Sequence, residues 1–289
     1  MLILFTDTDT DTTPEIAKEY GYNLISMPYS VGGKEIFPYE DFEVFDYQPF
    51  YAKLRKGIIP STSGISPSKY MNYFEPHFQN GDDILYVHFS TQLSGTFNAM
   101  NIAVDELLEK YPDRKFYTID TKAITICSLN IVREIGDLYK QGKTIDEIMD
   151  WAKEEVDKFA IYFYADDLKF FQRSGRVSNF KAIVGDFFGI KPIINIGSDG
   201  KMVSIGKGKG RIGALRKIIS YVEELQEDIK DHRVIIGHTD ALEIAEMLAE
   251  MLREKFGQDL NIEFVIVNPT AGSHCGPDGI GVSFHAKHR

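Results

Sequence analysis

Cysteine is scarce in this chain. Cys127 and Cys275 are the only two, too few for a disulfide framework or a four-thiolate metal site. His274 stands beside Cys275, but no further His or Cys lies at ligand spacing, so no metal is expected. Long apolar runs are also missing, and none approaches the roughly 20 residues a helix needs to cross a bilayer. The N-terminus lacks a basic segment followed by an apolar core. Positive charge is in deficit: 32 Lys and Arg face 43 Asp and Glu, a formal net charge of −11. That balance argues against general binding to nucleic acid or to anionic membranes. The expectation is a soluble, cytoplasmic protein with no nucleic-acid partner and no stable membrane insertion.

What is present describes an ordinary globular protein. Its 289 residues are 43% hydrophobic and 26% charged, and the length implies about two domains. In the first half, strand-like runs (Leu2–Phe5, Leu24–Val31, Ile84–Ser90, Lys115–Asp120) alternate with amphipathic helical patterns. Thr12 with Glu15 fits a capping box, with Pro14 in the first turn. A further helix carries Phe97, Met100, Val104 and Leu107 on one face. Such alternation implies a parallel sheet with helices on both faces. After a helix near Ile145–Phe159 the pattern changes. Phe159–Tyr164, Ile190–Ile196, Arg233–Gly237, Ile262–Val267 and Gly281–His285 read as strands, with an Asp199-Gly200 hairpin turn. Helices are expected at Phe180–Phe188, Arg211–Gln226 and Ala241–Phe256. The reading is α/β with two domains: residues 1–158 around a parallel sheet, and residues 159–289 around a mixed sheet.

Two loops concentrate small hydroxyl residues before helices: Pro60–Pro67, where Ser66 and Pro67 suit N-cap and first-turn positions, and Ser90–Thr96. Free N–H groups at a helix start plus hydroxyls make an anion site, and open α/β sheets bind ligands at the carboxyl ends of their strands. Neither loop has the lysine of a triphosphate cradle, so a carboxylate is the better match. The same residues serve equally as plain caps and turns. Ala271–Gly279 is a glycine-rich loop in which His274 is placed to donate to a carboxylate. Arg173 and Arg176 offer forked N–H donors for a phosphate or carboxylate, or ion pairs with Asp166 and Asp167. Beyond them Phe180, Ile183, Phe187 and Phe188 form an apolar stripe.

One motif points elsewhere. Asp9-Thr10-Asp11-Thr12-Thr13, after an apolar strand, matches the Asp-x-Asp-x-Thr signature of haloacid-dehalogenase-type, magnesium-dependent phosphohydrolases. Its simpler reading is an acidic start to a helix. A serine hydrolase built on Ser94 and His274 lacks the Gly-x-Ser-x-Gly elbow.

Taken together, the motifs resemble the DegV family of fatty-acid-binding proteins. The matching pieces are Thr62-Ser63, His88–Thr96, Gly175-Arg176-Val177-Ser178, Gly189–Ile193 with Asp199-Gly200, and His274-Cys275-Gly276-Pro277. The chain departs from the commoner family pattern at Gly64-Ile65, Cys275 and Asp278. The resemblance implies an α/β/α domain and a second α/β domain with one long-chain fatty acid between them. It implies carboxylate contacts from Thr62 and Ser94, His274 nearby, and Arg173 acting toward a partner. It further implies a non-catalytic, acyl-binding subunit of a bacterial fatty-acid kinase, which presents its lipid to an ATP-binding subunit. No catalytic residue and no cofactor other than the lipid is expected. Each buried methylene contributes about 0.8 kcal/mol, so a sixteen-carbon tail gains on the order of 10 kcal/mol before entropy costs. An enclosed apolar tunnel is therefore required, with Phe180, Ile183, Phe187 and Phe188 as expected wall. The carboxylate needs partners, expected from Thr62, Ser94 and the Gly95 N–H.

Overall fold

The computed structural model describes residues 1–177 and 189–289. Four parallel strands form the first sheet: β1 (Leu2–Asp7), β2 (Tyr22–Ile25), β6 (Asp83–His88) and β7 (Phe116–Asp120), in the order β2-β1-β6-β7. Every residue of β6 after Asp83 is buried, as a central strand covered on both faces requires. The connecting helices are α1 (Pro14–Tyr20), α3 (Pro67–Gln79) and α4 (Thr96–Lys110). Ser66 caps α3 through its side chain with Pro67 in the first turn, as expected. In α4, Phe97, Met100, Val104 and Leu107 are buried on one face.

A small antiparallel sheet hangs beside the first one. It holds β3 (Tyr29–Val31), β4 (Lys34–Ile36) and β5 (Ser61–Thr62), with α2 (Tyr47–Arg55) in the connection. The single strand expected at Leu24–Val31 is therefore two strands in different sheets. Pro28 lies between them, and Met27 donates its N–H to Thr8 Oγ1 (2.9 Å) rather than to a strand. The cap of α1 is also one residue later than expected. Thr13 receives the Ile16 N–H, while Thr12 is buried and bonded to Thr10 Oγ1 at 2.8 Å.

After α5 (Thr125–Lys140) and α6 (Ile145–Glu155), the chain builds a mixed sheet in the order β10-β9-β8-β13-β11-β12. Its strands are β8 (Phe159–Tyr164), β9 (Ile190–Ile196), β10 (Met202–Lys209), β11 (Val234–His238), β12 (Ile262–Ile266) and β13 (Ile280–His285). Only β11 and β12 pair in parallel among the described residues. Helices α7 (Leu168–Ser174), α8 (Gly210–Leu225), α9 (Leu242–Phe256) and α10 (Pro269–Cys275) connect them. The helix expected at Phe180–Phe188 lies outside the described residues.

Strand β8 shows how the two sheets share a core. Ala160, Tyr162 and Tyr164 pack with α8 and α9 on one face of the mixed sheet. Ile161 and Phe163 point the other way, into the apolar cluster that also holds Leu4, Phe5 and Leu85 of the parallel sheet. Helix α5 is the layer between. It packs on β8, β11 and β13, and the side chains of its first two turns are all buried.

The glycine-rich segment expected as a loop is half helix. Asn268 accepts the Ala271 N–H (2.9 Å) and Pro269 opens α10, which ends before Gly276. This helix is clamped to the N-terminal half: Tyr51 Oη donates to Val267 O at 2.9 Å, and Thr270 Oγ1 to Met27 O at 2.8 Å. A Cβ at Gly272 would lie 2.4 Å from Tyr51 Oη, and that ring is 0% exposed. Gly272→Ala is therefore expected to destabilise the protein by about 1–3 kcal/mol in urea denaturation, despite alanine's better helix propensity. Adding Tyr51→Phe should restore part of the loss. A Gly272→Ala variant as stable as the parent would contradict this packing.

Candidate functional site

The two hydroxyl loops meet. Ile65 donates its N–H to Thr96 Oγ1 (3.2 Å), and Tyr70 Oη bonds the same hydroxyl at 3.1 Å. Gly64 permits this approach, since a Cβ there would lie 3.0 Å from Thr96 Cβ. Thr62, at the end of β5, is held by the pairing of Ser61 and Thr62 with β3. Its Oγ1 lies 2.9 Å from His274 Nε2 on α10. Ser94 accepts the Thr96 N–H at 3.2 Å, and Gly95 is the N-cap of α4 with no side-chain cap. The positive end of a 15-residue helix thus faces the same place.

These groups border a cavity of about 340 Å³, within the range of small-ligand pockets. Thr62, Ser94, Gly95, His274 and Arg176 all line it. Arg173 does not; it is exposed on the last turn of α7. The rest of the wall is mostly apolar, with Phe89, Ile126, Ile161, Phe163, Phe171 and Met202 from both halves of the chain. Sequence reasoning missed this part of the wall. The alternation of β8 between two cores was the available signal, because Ile161 and Phe163 belong to the face turned toward the parallel sheet. The stripe Phe180, Ile183, Phe187 and Phe188 lies outside the described residues. Thr125, another wall residue, sits at φ 55°, an unusual conformation for a β-branched residue.

The electrostatics of the mouth are those of neutral donors. Burial, reinforced by the charge of Arg176, pushes His274 down to about 4, so the ring is uncharged near neutral pH. Arg176 bonds the Ser174 carbonyl. The alternative reading, in which Arg173 and Arg176 pair with Asp166 and Asp167, is not what the structure shows. Asp166 is held by Lys191 and Arg211 (3.0 and 3.1 Å), and Asp167 caps α7 by accepting the Lys169 N–H.

Below β1 lies an acidic run that is entirely buried: Asp7, Asp9 and Asp11. Asp7 accepts from Asp9 N, Tyr86 Oη and Phe89 N (3.0, 2.9 and 3.3 Å), and burial still raises it to about 7. Asp11, in left-handed backbone at φ 56°, accepts from both the N–H and Nδ2 of Asn268 at 2.8 Å. Burial likewise raises Asp11 to about 7. Asn268 in turn caps α10, so this contact sets the helix that carries His274. The phosphohydrolase alternative is not favoured by this geometry. Both of its carboxyls, Asp9 and Asp11, are buried and their ionisation is disfavoured by that burial, and among the described residues no group of His, Cys, Asp or Glu is arranged to hold a metal. Nor does a serine hydrolase fit, since His274 Nε2 is engaged by Thr62.

Residues 1–287 match the family described as "Uncharacterised protein, DegV family". The chain belongs to the DegV family. A DegV domain-containing protein of Clostridium perfringens is 35% identical over 283 residues, covering 98% of this chain and 96% of that one. Among solved structures, a fatty-acid-binding DegV family protein from Thermus thermophilus superposes with a TM-score of 0.86 at 20% identity, covering 99% of both chains. A stearic-acid-binding protein from Eubacterium ventriosum gives 0.85 at 20% identity, again over 99% of both. This DegV chain shares their α/β fold, and among its described residues no helix is long and apolar enough to cross a membrane.

The Asp11 contact has a measurable signature. Its folded pKa of about 7 lies above the ordinary 3.8, so its contribution to stability is full below 3.8 and is lost as pH rises through 7. Asp11→Asn keeps an acceptor for Asn268 and removes the titration. Relative to the parent, this variant should gain stability between pH 5 and pH 8, by about 2–3 kcal/mol, in urea denaturation at both pH values. A difference between the two proteins that does not change with pH would contradict the assignment.

Proposed function

We propose that this DegV chain binds a long-chain fatty acid, with the carboxylate held at the Thr62, Ser94 and Gly95 cluster beside His274 and the tail buried in the adjoining cavity. The observation that carries the reading is the Thr62–His274 hydrogen bond of 2.9 Å at the border of an apolar cavity. Neutral O–H and N–H groups at that border suit a carboxylate leaving water, and an unpaired buried carboxylate costs several kcal/mol. The fatty-acid-binding relatives of the same fold support the choice of ligand. In this reading residues 1–158 and 159–289 act as two domains that close over the lipid.

The protein itself is then a carrier without catalytic residues. Its partner is an ATP-binding kinase subunit, in which a carboxylate oxygen attacks the γ-phosphorus, ADP leaves and an acyl phosphate forms. Arg173 is exposed on α7, and Arg176 lines the cavity. Both therefore stand where a docking subunit or its phosphates could be met.

Native mass spectrometry of the purified protein, followed by solvent extraction, should reveal a co-purified fatty acid. Hydrogen bonds to a charged group contribute about 1.5–3 kcal/mol each, so Thr62→Ala with Ser94→Ala should weaken fatty-acid affinity by about 100-fold or more. Unchanged affinity in the double variant would remove the head-group assignment.

A further inference from the structure

Asp9 is an acidic residue of the cavity wall that the proposed binding mode leaves unused. It sits in the single 3₁₀ turn Thr8–Thr10 after β1 and is 6% exposed. It borders the same cavity as Thr62 and His274. Its backbone N–H is bonded to Asp7, but its Oδ1 is buried with no hydrogen-bond partner. Tyr164, whose Oη also lacks a partner, packs with α8 and α9 on the other face of the mixed sheet, and two further polar wall residues are satisfied. Thr239 accepts the Gly279 N–H at 2.6 Å, and Thr270 donates to Met27 O at 2.8 Å.

An unsubstituted methylene chain cannot relieve a carboxyl oxygen left without a partner. Burial, then the charges of Asp7 and Asp11, hold Asp9 well above the usual carboxylate range. The phenols of Tyr70 and Tyr86 also feel Asp9, and burial raises both, so no cation is among the groups acting on it. The protonated form is thereby favoured, and it has an O–H to donate and an oxygen to accept. A hydroxyl is the complementary ligand group, able to do both in return.

We propose that Asp9 is a second polar contact of the cavity, and that it selects an acyl chain carrying a hydroxyl group along its length over an unsubstituted chain. This rests on the fatty-acid reading and deepens it.

The test uses the full chain stripped of lipid. A fluorescent fatty acid is displaced by stearic acid and by a series of monohydroxystearic acids that differ in hydroxyl position. One position in the series should bind about tenfold more tightly than stearic acid, the worth of one well-placed hydrogen bond. Asp9→Asn should keep that preference, while Asp9→Leu should abolish it and tighten stearic acid. The proposal is overturned if no isomer outcompetes stearic acid on the parent protein, or if the preference survives Asp9→Leu. The parent series decides the matter even if Asp9→Leu does not fold. Failure of every acid to bind would defeat the fatty-acid reading itself, which keeps the two failures apart.

Discussion

The hydrogen bond between Thr62 and His274 joins residues 212 positions apart, and the local structure at both of its ends serves to make it possible. On one side, Thr62 is fixed by its strand pairing with β3, and the loop after it is pinned to Thr96 at the head of α4. On the other, His274 rides on α10, whose cap residue Asn268 is gripped by Asp11 from the first βα connection. The site is thus assembled from four separate stretches of chain. Each is held by buried backbone or side-chain hydrogen bonds that water does not compete for. A carboxylate and an aliphatic tail make opposite demands, donors for one and dryness for the other. This arrangement puts neutral donors at the edge of a mostly apolar cavity.

The acidic run after β1 shows what such an arrangement costs. Asp7 spends both oxygens and Asp11 its Oδ1 on structure, orienting the turn and α10, and burial makes their ionisation unfavourable. Asp9 is different because it is the one of the three that borders the cavity, and no hydrogen bond within the fold holds its Oδ1. Natural proteins keep an unsatisfied buried group where a ligand or a strained function supplies the reason.

Much of this was legible in the residues. The strand–helix alternation announced a parallel sheet, Ser66-Pro67 announced the start of α3, and Asp199-Gly200 announced the β9–β10 turn. The hydroxyl loops stood out because Ser and Thr before an amphipathic helix carry a local mechanism. What could not be read was set by tertiary packing. Leu24–Val31 looked like one strand because its apolar content is continuous, yet its two halves join different sheets. The burial of Asp7, Asp9 and Asp11 was hidden, since three acids in alternation look like a solvated cap until Asn268, Tyr86 and Phe89 are folded against them. Arg173 and Arg176 have the same chemistry in sequence, and only the geometry of α7 separates the one at the cavity from the one outside it.

The most direct test of the account is a crystal structure of the protein with a terminally brominated fatty acid, the bromine located by its anomalous signal. The account predicts the carboxylate within hydrogen-bonding distance of Thr62 and Ser94, with the bromine enclosed among the apolar residues of the cavity. A reversed lipid, or one whose carboxylate lies in solvent away from both hydroxyls, would contradict it.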